Sequence, residues 1–312
     1  MKEPPFLRNY LHDQFNVHSD FDFKSYRKYL DNLKDAGFNE IEHAGSHIKY
    51  FTQRERLKNT LEEIHNRGMK AYFYTGVFGT ENLNRFKSFI SFAQRDKHGN
   101  ILSYSRKGLA TAMMCPASEY IDSVIIPRLM DRMHLARFDG LFFDIPWIMK
   151  SGCYCLNCKN QKDEGADNAV IVRKALIKIV SALKKDFPYI SICVNAGAPT
   201  IHNNQFSGAH IDNLKGIFDE YLTEWNPYRW KQNVSVITRC IEYARQTVNG
   251  RLLHATTATT RKGKMYSFDQ YVALFAAIAI GGATPRLGIG FPPEQLKIIG
   301  DAWKKTLDEN PC

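Results

Sequence analysis

The sequence predicts a single (β/α)8 TIM barrel spanning residues 1–312 as one domain, on three observations. A short apolar strand followed by an amphipathic helix recurs about eight times, the length suits one such barrel, and no glycine-rich phosphate turn follows the first strand. The last observation separates a closed barrel from an open doubly wound sheet, which would carry that turn. With 44% of its 312 residues hydrophobic, the chain can bury a large core without a second domain.

The elements follow in order. A first strand is expected over 9–15, then a helix in which Tyr26, Leu30 and Leu33 share one face and which Gly37 ends. A second strand over 39–43 precedes a helix carrying Leu57, Leu61 and Ile64, stopped by Gly68 as a C-cap residue. The third strand covers 70–77, followed by a helix around 83–92 and a turn over 96–100. A helix over 119–135 leads into the fourth strand, 140–145, and the helix bearing Ala175, Ile179 and Leu183 leads into the fifth, 190–195. The sixth strand is expected over 216–222, the seventh over 252–256 and the eighth over 283–287, with a helix around 271–278 between the last two.

Charge narrows the partners. The formal net charge of +10 and the pI near 9.2 would suit a polyanion, yet Lys24, Arg27, Lys28, Lys34, Lys174, Lys178, Lys184 and Lys185 scatter over helix surfaces without a nucleic-acid motif. No nucleic-acid partner is therefore expected. The longest apolar run, 272–280, is interrupted by Gly281 and Gly282 and is too short to cross a bilayer, and Met1–Phe6 carries no apolar stretch behind it. The expectation is a cytoplasmic protein without a membrane partner, its state of homo-oligomerisation open.

In such a barrel the chemistry sits on strand ends and the loops after them. The polar groups there are His12, Asp13 and Asn16; Glu42, His43 and His47; Tyr74 and Thr75; Asp144 and Trp147; Asn195; Asp219, Glu220, Glu224 and Trp225; His254 and Thr256; and Arg286. Carboxylates and aromatics dominate, a mixture that suits sugars. Cleaving a glycosidic bond takes two carboxyl groups across it, and flat rings pack on sugar C–H groups. Asp144 closes the apolar run Leu141-Phe142-Phe143, where an unused charge would be costly. Its expected partner is Glu220, ahead of Glu224 and then Asp219. Asp13, His12, His43, Trp147, Asn195, Glu224, Trp225 and Arg286 are expected to contact substrate. A barrel that binds carbohydrate without turnover and a lyase or isomerase acting on an acidic metabolite are the alternatives, the latter resting on the basic run Arg261-Lys262-Gly263-Lys264.

Seven cysteines fall into two groups. Cys153-Tyr-Cys155-Leu-Asn-Cys158 with Cys115 upstream has the ligand count and softness of a structural four-thiolate zinc site. Unliganded thiols or a disulfide are the alternative, disfavoured by the odd total. Cys193, Cys240 and Cys312 read as single thiols. Zinc is the one cofactor expected, with a structural role.

Arg8-Asn9-Tyr10 with Asp13, the segment from Phe138 to Asp144 and Cys153-x-Cys155-x-x-Cys158 resemble the barrel of glycoside hydrolases related to α-L-fucosidases, over most of the chain from Phe6 onward. In fucosidase-like and α-galactosidase-like barrels the aspartate ending the fourth strand is the nucleophile, so the resemblance implies that role for Asp144. Glu220 would align with a glutamate of the sixth strand. The cysteine spacing is similar to that of family 42 β-galactosidases, where such thiolates bind zinc. Those enzymes carry their nucleophile on the seventh strand, whereas Leu252-Leu253-His254-Ala255-Thr256-Thr257 offers no carboxylate, which favours pairing the fourth and sixth strands. The first strand departs as well, with Leu11-His12 and Gln14 in place of the related histidine pattern. Together these imply a retaining glycoside hydrolase acting on an oligosaccharide or glycoside, with Asp144 as nucleophile and Glu220 as acid/base.

Overall fold

A computed structural model describes residues 7–10, 23–44, 54–79, 81–82, 87–106, 109–197, 208–231, 233–257, 259–260, 262–288 and 291–310. The strands are β1 (Leu7–Tyr10), β2 (Phe38–Glu42), β3 (Lys70–Gly76), β4 (Glu81–Asn82), β5 (Ser103–Arg106), β6 (Leu109–Ala112), β7 (Gly140–Asp144), β8 (Ser191–Asn195), β9 (Glu220–Glu224), β10 (Arg251–Thr257) and β11 (Thr284–Gly288). The helices are α1 (Phe23–Asp35), α2 (Arg54–His65), α3 (Ile126–Leu135), α4 (Leu156–Asp163), α5 (Asn168–Asp186), α6 (Ile211–Leu214), α7 (Pro227–Trp230), α8 (Val234–Thr247), α9 (Phe268–Gly281) and α10 (Pro293–Glu309).

The fold is α/β, built on a parallel sheet that curls on itself. Its pairing runs β1-β11-β10-β9-β8-β7-β3-β2 and returns through β1 with β2. Amphipathic helices cover the outer face: Tyr26, Leu30 and Leu33 of α1, Leu57 and Ile64 of α2 and Ile179 and Leu183 of α5 are all buried there. The strand–helix alternation is uneven, however. Among the described residues the connection from β8 to β9 holds only the four-residue α6, and the one from β3 to α3 carries a separate antiparallel sheet, β4-β6-β5.

Two expectations need correction. Of the helix expected around 83–92, the described residues Lys87–Phe92 form a 3-10 stretch rather than an α-helix, and the hairpin strands β5 and β6 follow it. The sixth strand begins four residues later than expected. Gly216 turns with φ of +75°, and Phe218 packs outside the barrel as its N–H donates to the Tyr221 hydroxyl at 3.2 Å. The apolar pair Ile217-Phe218 thus seals a loop, and β9 starts at Glu220.

Strand alternation then sorts the interior into layers. Phe142, Cys193, Leu222, Leu253 and Ala255 pack together inside, with Tyr74 against them. Two residues earlier on the same strands lie Tyr72, Ser191, Glu220 and Arg251, which form the floor at the N-terminal end. Two residues later than Phe142, Cys193 and Leu222 lie Asp144, Asn195 and Glu224, at the C-terminal mouth. Glycine is required at one floor position: a Cβ on Gly140 would lie 2.3 Å from the Tyr72 ring and 2.5 Å from the Ser191 carbonyl oxygen.

The floor is a charge network. Glu220 accepts hydrogen bonds from the hydroxyls of Tyr72 at 2.7 Å and Ser191 at 2.6 Å, and from Arg251. Arg251 also spans both oxygens of Glu40 at 3.1 and 3.3 Å. Higher in the barrel, Arg286 grips Glu42 through Nε at 2.7 Å and through its Nη2, and lies 4.9 Å over the Phe142 ring. Among the described residues, no helix is long and apolar enough to cross a membrane.

Candidate active site and cysteine centre

The mouth is built from strand ends. Asp144 ends β7 half-buried, and three donors fix its carboxylate: the Tyr74 hydroxyl on Oδ2 at 2.5 Å, and the Ile145 N–H and Asn195 Nδ2 on Oδ1, each at 2.9 Å. Asn195 ends β8, and its own oxygen accepts the Gly197 N–H at 2.8 Å, which orients the amide so that its NH2 faces the carboxylates. The same Nδ2 lies 3.3 Å from Glu224 Oε2. The two bonded carboxylate oxygens can therefore be no more than about 6 Å apart. Glu224 ends β9 and is exposed, as a group serving an open mouth should be.

The backbone around Asp144 is unusual. Ile145 has φ of +53°, a conformation costly for a β-branched residue, and His43 has φ of +58° at the end of β2. Surrounding bonds hold the turn: Val77 N–H donates to the Asp144 carbonyl at 2.8 Å and Phe78 N–H to that of Ile145 at 3.3 Å. A Cβ on Gly79 would lie 2.6 Å from Ile145 Cγ2, so the bare glycine makes room for the isoleucine. The turn brings the Ile145 N–H onto the Asp144 carboxylate. His43 stacks on the Tyr74 ring with centroids 3.7 Å apart, so its link to Asp144 runs through Tyr74.

Several expected residues lie elsewhere. Glu220 sits on the floor, four residues and about 13 Å of strand from Glu224, because β9 starts later than its apolar pattern suggests. The hollow that it lines, about 390 Å³, is bounded by floor residues such as Tyr72, Ser191 and Arg251. Trp225 is 1% exposed and packs in the outer core, since it follows Glu224 on the opposite face. Arg286 is engaged by Glu42 inside the barrel. His254 shares the outward parity of Leu252; it has no hydrogen-bond partner among the described residues, and burial lowers its pKa to about 3, which keeps it neutral. Asp219, just before β9, also borders the floor hollow and is paired with Lys184 at 2.8 Å. Trp147 is half-buried three residues beyond Asp144, and its carbonyl accepts from Gln94 Nε2 at 3.2 Å. His12, Asp13, Asn16, His47 and Arg261 fall outside the described residues.

Sequence reasoning placed Tyr74 at a strand end without a role; its inward parity with Phe142 was the available signal. Gln94 carried no signal, because a single glutamine in a connection resembles any other.

The cysteine centre assembles as expected. The sulfurs of Cys115, Cys153, Cys155 and Cys158 all lie within 4.8 Å of one another, with Cys115 3.3 Å from Cys158 and 3.4 Å from Cys155. Four sulfurs about 2.3 Å from one ion would stand about 3.8 Å apart, so the set fits a tetrahedral metal after small adjustments. Cys155 is the N-cap of α4, where the helix end favours negative charge. The Cys115 thiol beside them draws the Cys153 thiol down to about 7 and holds Cys155 well below the usual thiol range. The donor set can hold a metal ion.

No protein-family model matches the sequence, and no curated protein matches it. Solved structures do. The chain is similar to α-L-fucosidase isoenzyme 2 from Paenibacillus thiaminolyticus, with a TM-score of 0.70, 18% identity and 96% of this chain covered against 49% of that one. It is similar to a β-galactosidase from the psychrophilic Marinomonas ef1, with a TM-score of 0.71, 10% identity and coverage of 97% and 60%. It is also similar to the GH36 α-galactosidase AgaB from Geobacillus stearothermophilus, with a TM-score of 0.62, 9% identity and coverage of 98% and 42%. The chain thus spans between two fifths and three fifths of the length of these enzymes. At these identities the likeness is one of fold: the structural neighbours are glycoside hydrolases.

Proposed function

We propose that the chain is the catalytic (β/α)8 domain of a retaining glycoside hydrolase, a single domain over residues 1–312, with Asp144 as nucleophile and Glu224 as general acid/base. The observation that carries this reading is the bridging amide: one nitrogen of Asn195 contacts carboxylates from β7 and β9, the fourth and sixth strands of the barrel. One oxygen of each carboxylate lies within about 6 Å of the other through this amide, a bound that accommodates the spacing of about 5–5.5 Å used by retaining enzymes and supports that reading. The fold of the neighbours supports a carbohydrate substrate, and the strained turn at Ile145 supports use of the carboxylate before it.

The chemistry follows from those positions. Asp144 Oδ1 accepts two donors and Oδ2 one, from Tyr74, so Oδ2 keeps a lone pair to attack the anomeric carbon while Glu224 gives its proton to the departing oxygen. A glycosyl ester on Asp144 results. Glu224, now a carboxylate, takes a proton from water as the water displaces the ester. Tyr74 holds Oδ2 in line, and Asn195 keeps the two acids in register. Trp147 and His43 are the proposed walls of the sugar site.

Zinc is the proposed occupant of the cysteine centre, where it supplies rigidity only. No disulfide joins the six cysteines among the described residues; a cytoplasmic location is part of the same proposal.

The test is a panel of aryl glycosides followed by NMR of the first-formed sugar. Cleavage with retained anomeric configuration is expected; binding of glycosides without release of any aglycone would overturn the assignment. Metal analysis of purified protein should give about one zinc per chain, and removal by a thiol-competing chelator should lower the melting temperature. A metal-free protein with an unchanged transition after chelation would exclude the zinc assignment.

A further inference from the structure

Gln94 lies between the two centres. It is fully buried, and every polar atom of its side chain is used: Nε2 donates to the Met114 carbonyl at 3.1 Å and the Trp147 carbonyl at 3.2 Å, while Oε1 accepts the Met149 N–H at 2.9 Å. Met114 precedes Cys115. The short segment around Gln94 is also pinned from both halves of the thiol cluster, by Cys115 N–H on the Phe92 carbonyl at 2.7 Å and Tyr154 N–H on the Arg95 carbonyl at 2.8 Å. An ion drawing Cys115 toward Cys153, Cys155 and Cys158 fixes the two ends of this segment against each other. From its middle, one amide reaches the loop that carries Trp147.

We propose that Gln94 is a positioning residue for the Trp147 wall, and that metal in the cysteine centre orders that wall through it. The link to substrate rests on the glycosidase reading; the mechanical link does not. The amide is suited to this task because it both donates and accepts, clamping carbonyl and N–H groups two residues apart on the loop without adding charge to a dry site. A second route exists through the turn in which Gly152 N–H donates to the Met149 carbonyl at 2.7 Å. The test must therefore separate the side chain from the chain path.

Hydrogen exchange on the full chain does so, with three samples: zinc-loaded protein, protein stripped by a chelator, and zinc-loaded Gln94→Met, which has similar length but no hydrogen bonds. Peptides covering 145–149 should exchange about tenfold faster after stripping and equally fast in zinc-loaded Gln94→Met, while β8 and β10 keep their protection. Gln94→Asn, which keeps an uncharged amide on a stem one methylene shorter, should fall between, and it replaces Gln94→Met if that variant does not fold. Unchanged protection over 145–149 after stripping, or wild-type protection in the zinc-loaded variant, would overturn the proposal. With a glycoside that the wild type cleaves, the variant should raise KM about tenfold with kcat held within about twofold; equal losses in both would also overturn it. A wild type that cleaves no glycoside sinks the functional reading, and the exchange result still decides the mechanical one.

Discussion

Asp144→Asn is expected to lower kcat by a factor on the order of 10⁴ or more on any glycoside that the wild type cleaves. The substitution keeps the size and most of the contacts: Ile145 N–H and Asn195 Nδ2 can still donate to the remaining oxygen, and Tyr74 can turn its hydroxyl to suit. What disappears is the proposed nucleophile, so folding and sugar affinity should survive while the covalent step does not. Glu224→Gln should behave differently. Loss of a general acid/base costs roughly 10²–10⁴-fold, and the cost depends on the leaving group. An activated aryl glycoside needs little protonation to depart, so its ester should form and accumulate on Asp144, detectable as a mass increase on the intact chain. Full turnover in either variant, measured on folded protein, would remove that residue from the mechanism.

Much of the architecture could be read from residue patterns because the barrel strands are short apolar runs set between helices with one greasy face. Gly140 to Asp144 is the clearest instance, with its end marked by a charge that an apolar strand does not otherwise carry. The four thiols were equally plain, since three lie within six positions and ligand chemistry restricts what such spacing can mean. Two misreadings have one physical source. Ile217-Phe218 looked like the start of a strand because burial against the outside of a barrel and burial within it select the same side chains. Shifting the strand by that amount moved Glu220 from mouth to floor and raised Glu224 in its place. The hairpin of β5 and β6 was missed because Tyr104, Ser105 and Arg106 alternate too weakly to compete with the helix pattern before them. Trp225 illustrates the period-2 rule directly: one residue beyond Glu224, it must face the other way.

Arg251→Met should destabilise the fold by about 3 kcal/mol, a larger loss than any single change at the mouth, and leave turnover per folded molecule untouched. Two glutamates depend on this guanidinium, Glu40 with side-chain exposure of 1% and Glu220 with 5%, while Arg251 itself retains 20%. Removing it strands two buried negative charges on the barrel floor. Lys70, 3.7 Å from Glu40 and half-exposed, can offset only part of that. The partial exposure of Arg251 puts the expected cost at the lower end of the range for broken buried pairs. Glu220→Gln removes one of the charges and keeps an acceptor for Tyr72, Ser191 and Arg251, so it should cost less, about 1–2 kcal/mol, and the double variant should lose less than the two singles combined. These floor variants also decide the site. If Glu220 is structural, Glu220→Gln changes the denaturation midpoint and not kcat, whereas a loss of turnover with an unchanged midpoint would return the acid/base to the floor and defeat the pairing of Asp144 with Glu224. The layering makes that outcome physically demanding, because the packed layer of Phe142, Cys193, Leu222 and Leu253 stands between Glu220 and the mouth, and a proton donor must reach the bond that it breaks.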